Sequence, residues 1–173
     1  MFSEFLFYFT VYSFFGWIIE NVYSKLTRNQ FFKPNFFIGP FKPMYGFAPV
    51  FLVLLVKPGM SLYLILAFCL IIPTIIEFTT GFLLVSLFNK RYWDYSENRC
   101  NLGGHVCLIF SLSWIILSLV FLYWIHPQVH LLYQSIDFIW SKLILVVVLY
   151  FILEMRYAIS RHKYEHRFHK QFN

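Results

Sequence analysis

Apolar residues follow one another in five long runs, separated by shorter segments that are rich in charged residues, Gly and Pro. The runs cover residues 5–23, 45–56, 62–88, 106–125 and 136–157, the fourth stopping at His126-Pro127. All but the second approach or exceed the roughly 20 residues that a helix needs to cross a bilayer. The pattern predicts an all-α polytopic membrane protein of about five transmembrane helices, with residues 1–173 forming one integral membrane domain.

The second run is shorter than the others. At about 1.5 Å per residue it covers about 18 Å, whereas the hydrocarbon core of a bilayer is about 30 Å thick. A segment rich in Phe, Gly and Pro precedes it, over residues 31–45. Non-helical backbone survives at membrane depth only where it is buried in protein or lines a cavity. We expect either a short second helix after a re-entrant Gly/Pro-rich loop, or a helix that begins earlier.

Positive charges are sorted to one side of this arrangement. Twelve of the fourteen Lys and Arg residues lie in the first and third connections or at and beyond the end of the last run. Only Lys57 and Lys142 fall on the opposite side. Because cytoplasmic loops hold the Lys/Arg excess, we expect the amino terminus outside and the carboxyl terminus in the cytoplasm. Residues 157–173 then form a basic cytoplasmic tail of a multi-pass cell-membrane protein.

The composition agrees with this class. Apolar residues make up 60% of the chain and charged residues 13%, against roughly 25% charged residues in soluble domains. The net charge of +6 follows from the topology and favours contact with anionic inner-leaflet lipids. The lipid bilayer is therefore the predicted partner, and nucleic acid is not.

Three glutamates, Glu20, Glu77 and Glu154, lie inside predicted spans. An ionisable group in a bilayer is costly, so each one is a functional hypothesis by default. With the predicted topology all three share one depth, in the cytoplasmic third of the membrane. Glu20 and Glu154 also have a simpler interpretation, because near a span end they reach lipid headgroups or pair with Lys25 or Arg156.

Small and polar residues extend this predicted site. Gly16 and Trp17 share one helical face with Glu20, and Pro73, one turn before Glu77, frees the backbone carbonyl of Cys69. A freed carbonyl beside a carboxylate suits a cation or an amine, and no cofactor or metal site is predicted. The predicted substrate-binding residues are Trp17, Glu20, Tyr23, Glu77, Thr80, Trp93, Asp94, Tyr95, Asn101, Ser111 and Trp114. The predicted structural positions are Gly16, Gly39, Pro40, Pro43, Tyr45, Gly46, Pro73, Gly81 and Gly104.

Five ordered blocks resemble a known family of membrane proteins. They are FGWIIENVY, FIGPFKPMYGF, EFTTG, RYWDYS and NLGGHVCL, at residues 15–23, 37–47, 77–81, 91–96 and 101–108, followed by Ser111, Trp114 and His126-Pro127. In this order they resemble the putative ABC-transporter type IV family, also called the CmpB-like family. The resemblance covers residues 5–127 and implies the permease component of a transporter.

The chain contains no G-x-x-x-x-G-K-[ST] phosphate loop. If it is a permease, a separate nucleotide-binding subunit has to dock on its cytoplasmic loops. Five spans are few for a complete pathway, so we expect a homo-oligomer or a hetero-oligomer. Two other classes stay open: a non-transporting scaffold, sensor or accessory protein, and an intramembrane lipid-modifying enzyme, although the chain has no recognised catalytic motif.

Overall fold

The protein is a bundle of long helices with one small hairpin. The computed structural model describes residues 2–172, with side chains over residues 2–166, so the side chains of the tail residues Arg167 and Lys170 lie outside the described part. The helices are α1 (Phe2–Arg28), α2 (Pro43–Leu55), α3 (Leu62–Phe88), α4 (Leu108–Val120) and α5 (His126–Phe172). Strands β1 (Asn101–Leu102) and β2 (Val106–Cys107) pair antiparallel, which the sequence did not predict.

Three helical segments of the described residues are long and apolar enough to cross a membrane. They are Phe2–Arg28, Leu62–Phe88 and the continuous stretch Leu108–His166. The helix end predicted at His126-Pro127 is therefore wrong: a π-helical turn, Phe121–Ile125, joins α4 to α5. Pro127 has no backbone N–H to donate to the preceding turn, and a π-helical turn is a local way to accommodate such a disruption.

Helix α5 bends sharply along its length. The His126 ring lies 6.4 Å from the Tyr12 ring, and the Phe151 ring lies 5.3 Å from the Phe9 ring. A straight helix would separate residues 126 and 151 by about 37 Å, whereas residues 9 and 12 are only about 4.5 Å apart along α1. The carboxyl-terminal arm of α5 therefore returns along α1. The chain still reverses direction after the fourth apolar run, although no loop interrupts the helix.

The Gly/Pro segment between α1 and α2 folds back along α1. The backbone N–H of Lys42 donates to the Ser13 carbonyl at 3.0 Å, about 22 Å before the end of α1. Tyr45 then packs against Gly16, and Gly46 against Ser13. Helix α2 has 13 residues and is only about 20 Å long. The structure thus contains the short second helix and the non-helical segment before it that the sequence predicts.

A hydroxyl on α4 satisfies the carbonyl that Pro73 leaves free. Ser118 Oγ donates to the Cys69 carbonyl at 3.5 Å, in a buried contact between α4 and α3. Hydrogen bonds between helices matter where neither water nor an apolar driving force is present. The freed carbonyl therefore holds two helices together and is not left open to a ligand.

Candidate functional site

The Glu20 carboxylate on α1 forms ion pairs with two lysines. It contacts Lys33 Nζ at 2.9 Å and also Lys42 Nζ. The side chains of Glu20 and Lys42 are only 15% and 8% exposed, so both charges are largely withdrawn from water. The interpretation with Lys25 as the partner is wrong, because Lys25 Nζ donates to Asn29 Oδ1. One carboxylate thus holds two ammonium groups from the segment that precedes α2.

A buried amide fixes the chain that carries these lysines. Asn21 is fully buried, and its Nδ2 donates to the Trp17 carbonyl at 2.8 Å. Its Oδ1 accepts the backbone N–H of Lys33 at 2.9 Å. Because a buried amide is costly without partners, Asn21 joins the Gly/Pro segment to the helix turn that bears Glu20.

Glu77 on α3 is 4% exposed and is held by neutral donors. Its Oε1 accepts the Tyr95 hydroxyl at 3.0 Å, and its Oε2 accepts Trp114 Nε1 at 2.8 Å. The two donors come from the loop before the hairpin and from α4, so three elements meet at this carboxyl group. Burial and the neighbouring Glu77 raise the pKa of the Tyr95 hydroxyl well above its ordinary value.

Tyr45 connects the two glutamates. Its ring lies so close to Gly16 that a Cβ atom there would overlap it, and it packs edge-on to Trp114 with ring centroids 6.4 Å apart. Its ring thus lies between the α1 turn that precedes Glu20 and the indole of Trp114, which donates to Glu77. The two carboxyl groups therefore belong to one assembly. We call it the Glu20–Glu77 cluster, and it comprises Glu20, Lys33, Lys42, Tyr45, Glu77, Tyr95 and Trp114.

Two of the predicted binding residues organise the loop between α3 and α4. Asp94 accepts the backbone N–H of Ser96 at 2.9 Å and its hydroxyl at 2.5 Å, and pairs with Arg91 at 2.7 Å. The Ser96 hydrogen bonds, helped by Arg91, lower the pKa of the exposed Asp94 carboxyl. Asn101 Oδ1 accepts the N–H of Gly104 at 3.1 Å, in a turn where Gly104 has φ of +72°.

The same loop is closed over α3 by an aromatic side chain. Trp93 Nε1 donates to the His105 carbonyl at 2.8 Å. A Cβ atom on Gly81 would lie 3.1 Å from Trp93 and 3.0 Å from His105, so glycine permits this close approach. The loop that carries Tyr95 to Glu77 is thus packed directly on α3.

The structure places the other predicted residues apart from the cluster. Tyr23 is 64% exposed, whereas Ser111 is buried without being part of the cluster. Glu154 accepts the backbone N–H groups of Ile38 and Gly39 at 2.5 and 2.9 Å. From its position near a span end, Glu154 was expected to reach lipid headgroups or to pair with Arg156. Instead it accepts hydrogen bonds from the backbone of the Gly/Pro segment.

The predicted structural positions lie where elements approach one another. Gly39 packs against the Tyr150 hydroxyl, and Gly46 packs against Phe9 as well as Ser13. Pro43 is the first residue of α2, where a missing N–H costs nothing. Pro40 lines a cavity beside this segment.

Two cavities adjoin the cluster and share Asn35 and Tyr92 in their walls. The first, of about 290 Å³, is mainly apolar; we call it the apolar cavity, and its lining includes Glu20, Lys42, Met44, Phe47, Thr80, Leu83, Leu87 and Trp93. The second, of about 900 Å³, is the basic cavity; its lining includes Trp17, Arg28, Lys33, Lys90, Arg91, Arg161, His162 and Glu165. Basic residues from the three segments predicted to face the cytoplasm thus meet at one end of the protein.

Sequence reasoning identified Glu20 and Glu77 but missed the charged partners of Glu20. Lys33 and Lys42 were interpreted only as topology signals, and Arg161 only as part of the tail. The available signal was that both lysines lie in the same Gly/Pro segment that was suspected of entering the membrane. A lysine carried to that depth needs a carboxylate partner, and Glu20 is within reach of both.

Comparison with known proteins supports the resemblance seen in the sequence blocks. Residues 7–159 match the family model described as putative ABC-transporter type IV, a range that extends past residue 127 into α5. Neither the curated proteins nor the solved structures gave a significant match. Because the family model covers more than half of the chain and the helices are long and apolar, this membrane protein belongs to the putative ABC-transporter type IV family.

Proposed function

We propose that the chain is the membrane-embedded subunit of an ABC-type transporter in the cell membrane. The observation that carries the proposal is the Glu20–Glu77 cluster, an assembly of ionisable groups between helices that are long enough to cross a bilayer. Such groups are costly in a membrane and are characteristic of substrate and ion pathways. The family membership supports the same class of protein.

The proposed topology has five crossings within one integral membrane domain. Helices α1 and α3 cross fully, and α4 and the returning arm of α5 cross in opposite directions. The Gly/Pro segment and α2 together make the remaining crossing, with the segment re-entering the membrane from the cytoplasmic side. The end of the protein that holds the basic cavity is proposed to face the cytoplasm, because Lys and Arg are concentrated on the cytoplasmic side of membrane proteins.

Glu77 is the proposed binding group for a cationic or amine substrate. Glu20 already holds two ammonium groups, whereas the hydrogen-bond donors to Glu77 among the described residues are the neutral Tyr95 and Trp114. A buried carboxylate with only neutral donors gains more from a cation than one that is already paired. Thr80, one turn along α3, lines the adjoining apolar cavity.

Cation binding to the purified protein tests the role of Glu77. We would titrate methylammonium, choline and Na⁺ separately in uncharged detergent and follow tryptophan fluorescence, to which Trp114 contributes. At least one probe should bind to the wild type and at least about tenfold more weakly to Glu77→Gln, since a charge-assisted bond is lost. Glu97→Gln, which changes an exposed carboxylate outside the cluster, should bind like the wild type. Equal binding by both variants would rule out Glu77 as the cation site.

Recovery of a nucleotide-binding subunit tests the ABC assignment. The protein would be isolated from native membranes in mild detergent, and co-purifying chains identified by mass spectrometry. We expect a stoichiometric nucleotide-binding subunit that is lost with Asn101→Ala, because Asn101 organises the loop between α3 and α4. Lys57→Gln, in the α2–α3 connection, is the control and should retain the partner. Recovery of this chain alone would contradict the assignment.

A further inference from the structure

The basic cavity carries far more positive than negative charge. Five Lys and Arg residues line it, together with His162 and a single carboxylate, that of Glu165. Its volume of about 900 Å³ is within the range of roughly 300–1,000 Å³ that is typical of ligand sites. The cavity is therefore large enough for a ligand and has the wrong charge for a cation or an amine.

Three of the five cations have a carboxylate partner. Lys33 pairs with Glu20, Lys90 with Glu165 at 2.7 Å, and Arg91 with Asp94. The other two, Arg28 and Arg161, form no ion pair with any residue over which the structure describes side chains. An excess of two guanidinium charges thus remains in the cavity wall.

Arg161 is held in place by neutral groups. One terminal nitrogen donates to the Phe36 carbonyl at 2.8 Å, and its Nε is buried without a hydrogen-bond partner. The neighbouring His162 is 4% exposed. Its Nδ1 also lacks a hydrogen bond, although the Glu165 carboxylate lies 3.4 Å away. Buried polar atoms of this kind are costly when unsatisfied, and both residues line the basic cavity, where an anion would pair with the guanidinium charge of Arg161.

We propose that the basic cavity binds the phosphate group of an anionic lipid and that the apolar cavity receives its acyl chain. Guanidinium groups bind phosphate through two parallel hydrogen bonds, and Arg28 and Arg161 are the available pair. Basic pockets between helices on the cytoplasmic side of a membrane suit lipid phosphates.

The adjoining apolar cavity selects a lipid over a soluble phosphate. Asn35 and Tyr92 line both cavities, so the two cavities are neighbours, as the anionic and apolar ends of one bound molecule require. Apolar side chains such as Met44 and Leu83 line the apolar cavity and would remove part of an acyl chain from water. Binding of this lipid does not require that the protein transports anything.

Lipid titration of the purified chain in uncharged detergent tests the proposal. The probes are dioctanoyl phosphatidic acid, dioctanoyl phosphatidylcholine with the same chains, and inorganic phosphate, each followed by microscale thermophoresis. We expect phosphatidic acid to bind at least about tenfold more tightly than either other probe. Its affinity should fall as salt rises, because ions screen the charges at the cavity mouth.

Charge-removing variants locate the site. Arg28→Gln and Arg161→Gln should each weaken phosphatidic acid binding by about tenfold or more, since each removes a charge-assisted contact. The matched controls, Arg99→Gln and Lys163→Gln, remove the same charge from exposed positions outside the cavity lining and should bind like the wild type. Arg28 is exposed, so its variant should fold even if loss of Arg161 disturbs the Gly/Pro segment.

Three results would overturn the proposal. Equal binding of phosphatidic acid and phosphatidylcholine, or equal losses in the cavity and control variants, would show that the cavity does not recognise the anionic group. Inorganic phosphate binding as tightly as phosphatidic acid would remove the lipid assignment, because the acyl chains would then contribute nothing.

Discussion

Replacing Glu20 by Gln should expose how much of the stability depends on the buried ion pairs. The change keeps the side-chain volume but removes the negative charge that Lys33 and Lys42 share. Lys33 is 23% exposed and can turn towards water, whereas Lys42 is 8% exposed and would be left buried without a counter-ion. Lys42 should therefore account for most of the loss.

The expected loss of unfolding free energy is about 3 kcal/mol. Breaking a buried pair by removing one partner costs about 3–5 kcal/mol, and the partial exposure of Glu20 and Lys33 favours the lower end. Removing both buried charges, in Glu20→Gln with Lys42→Met, should recover at least about 2 kcal/mol, because an apolar side chain leaves no unpaired charge. Lys33→Gln alone should cost only about 1 kcal/mol, since Lys33 is the more exposed partner.

Unfolding in mixed micelles would measure these differences. The wild type, the single variants and the double variant would be titrated with a denaturing detergent, while circular dichroism follows helix content. Glu97→Gln, at an exposed position, is the control and should match the wild type. A Glu20→Gln loss no larger than that control, or no recovery in the double variant, would refute the argument that Glu20 compensates a buried lysine.

Two further changes test other parts of the site. Gly16→Ala places a methyl group in the volume of the Tyr45 ring and should lower the unfolding free energy by about 1–3 kcal/mol; a fully stable variant in the same titration would contradict this packing. The pKa of Asp94 lies below its ordinary value of 3.8 because Ser96 and Arg91 stabilise the charged form. The α3–α4 loop should therefore keep this support above pH 3.8 and lose it as the pH falls through the lowered pKa. Proteolysis of the loop should report this acid transition, which Asp94→Asn should abolish.

The helical architecture was predictable because run length and charge distribution are local properties of the sequence. The short second helix was predictable from the number of residues in the second apolar run. The meeting of basic residues at one end of the protein was predictable because they lie on alternate connections between the runs. The bend in α5 was not predictable in the same way. His126-Pro127 indicated a helix end, but Pro is tolerated where a π-helical turn precedes it, and tertiary contacts with Tyr12 and Phe9 then determine the path.

The candidate site was predictable only in part, for a physical reason. Glu20 and Glu77 are conspicuous because carboxylates are rare in apolar runs. Their partners are brought in by contacts between distant segments: Lys42 by the return of the Gly/Pro segment along α1, and Tyr95 by the loop packed on α3. The periodicity of one helix does not reveal contacts between distant segments. The lysines that the Gly/Pro segment brings to Glu20 were therefore interpreted as surface charges.

The charge balance of the Glu20–Glu77 cluster links cation binding at Glu77 to the position of the Gly/Pro segment. With every side chain in its ordinary charge state, Lys33 and Lys42 balance Glu20 and Glu77. A cation bound at Glu77 would leave the cluster with an excess positive charge in a buried place, which is unfavourable. Both lysines lie on the Gly/Pro segment, so moving that segment outward is the direct way to restore the balance. We therefore expect a bound cation to increase hydrogen exchange over residues 29–42 in the wild type, and no such increase in Glu77→Gln.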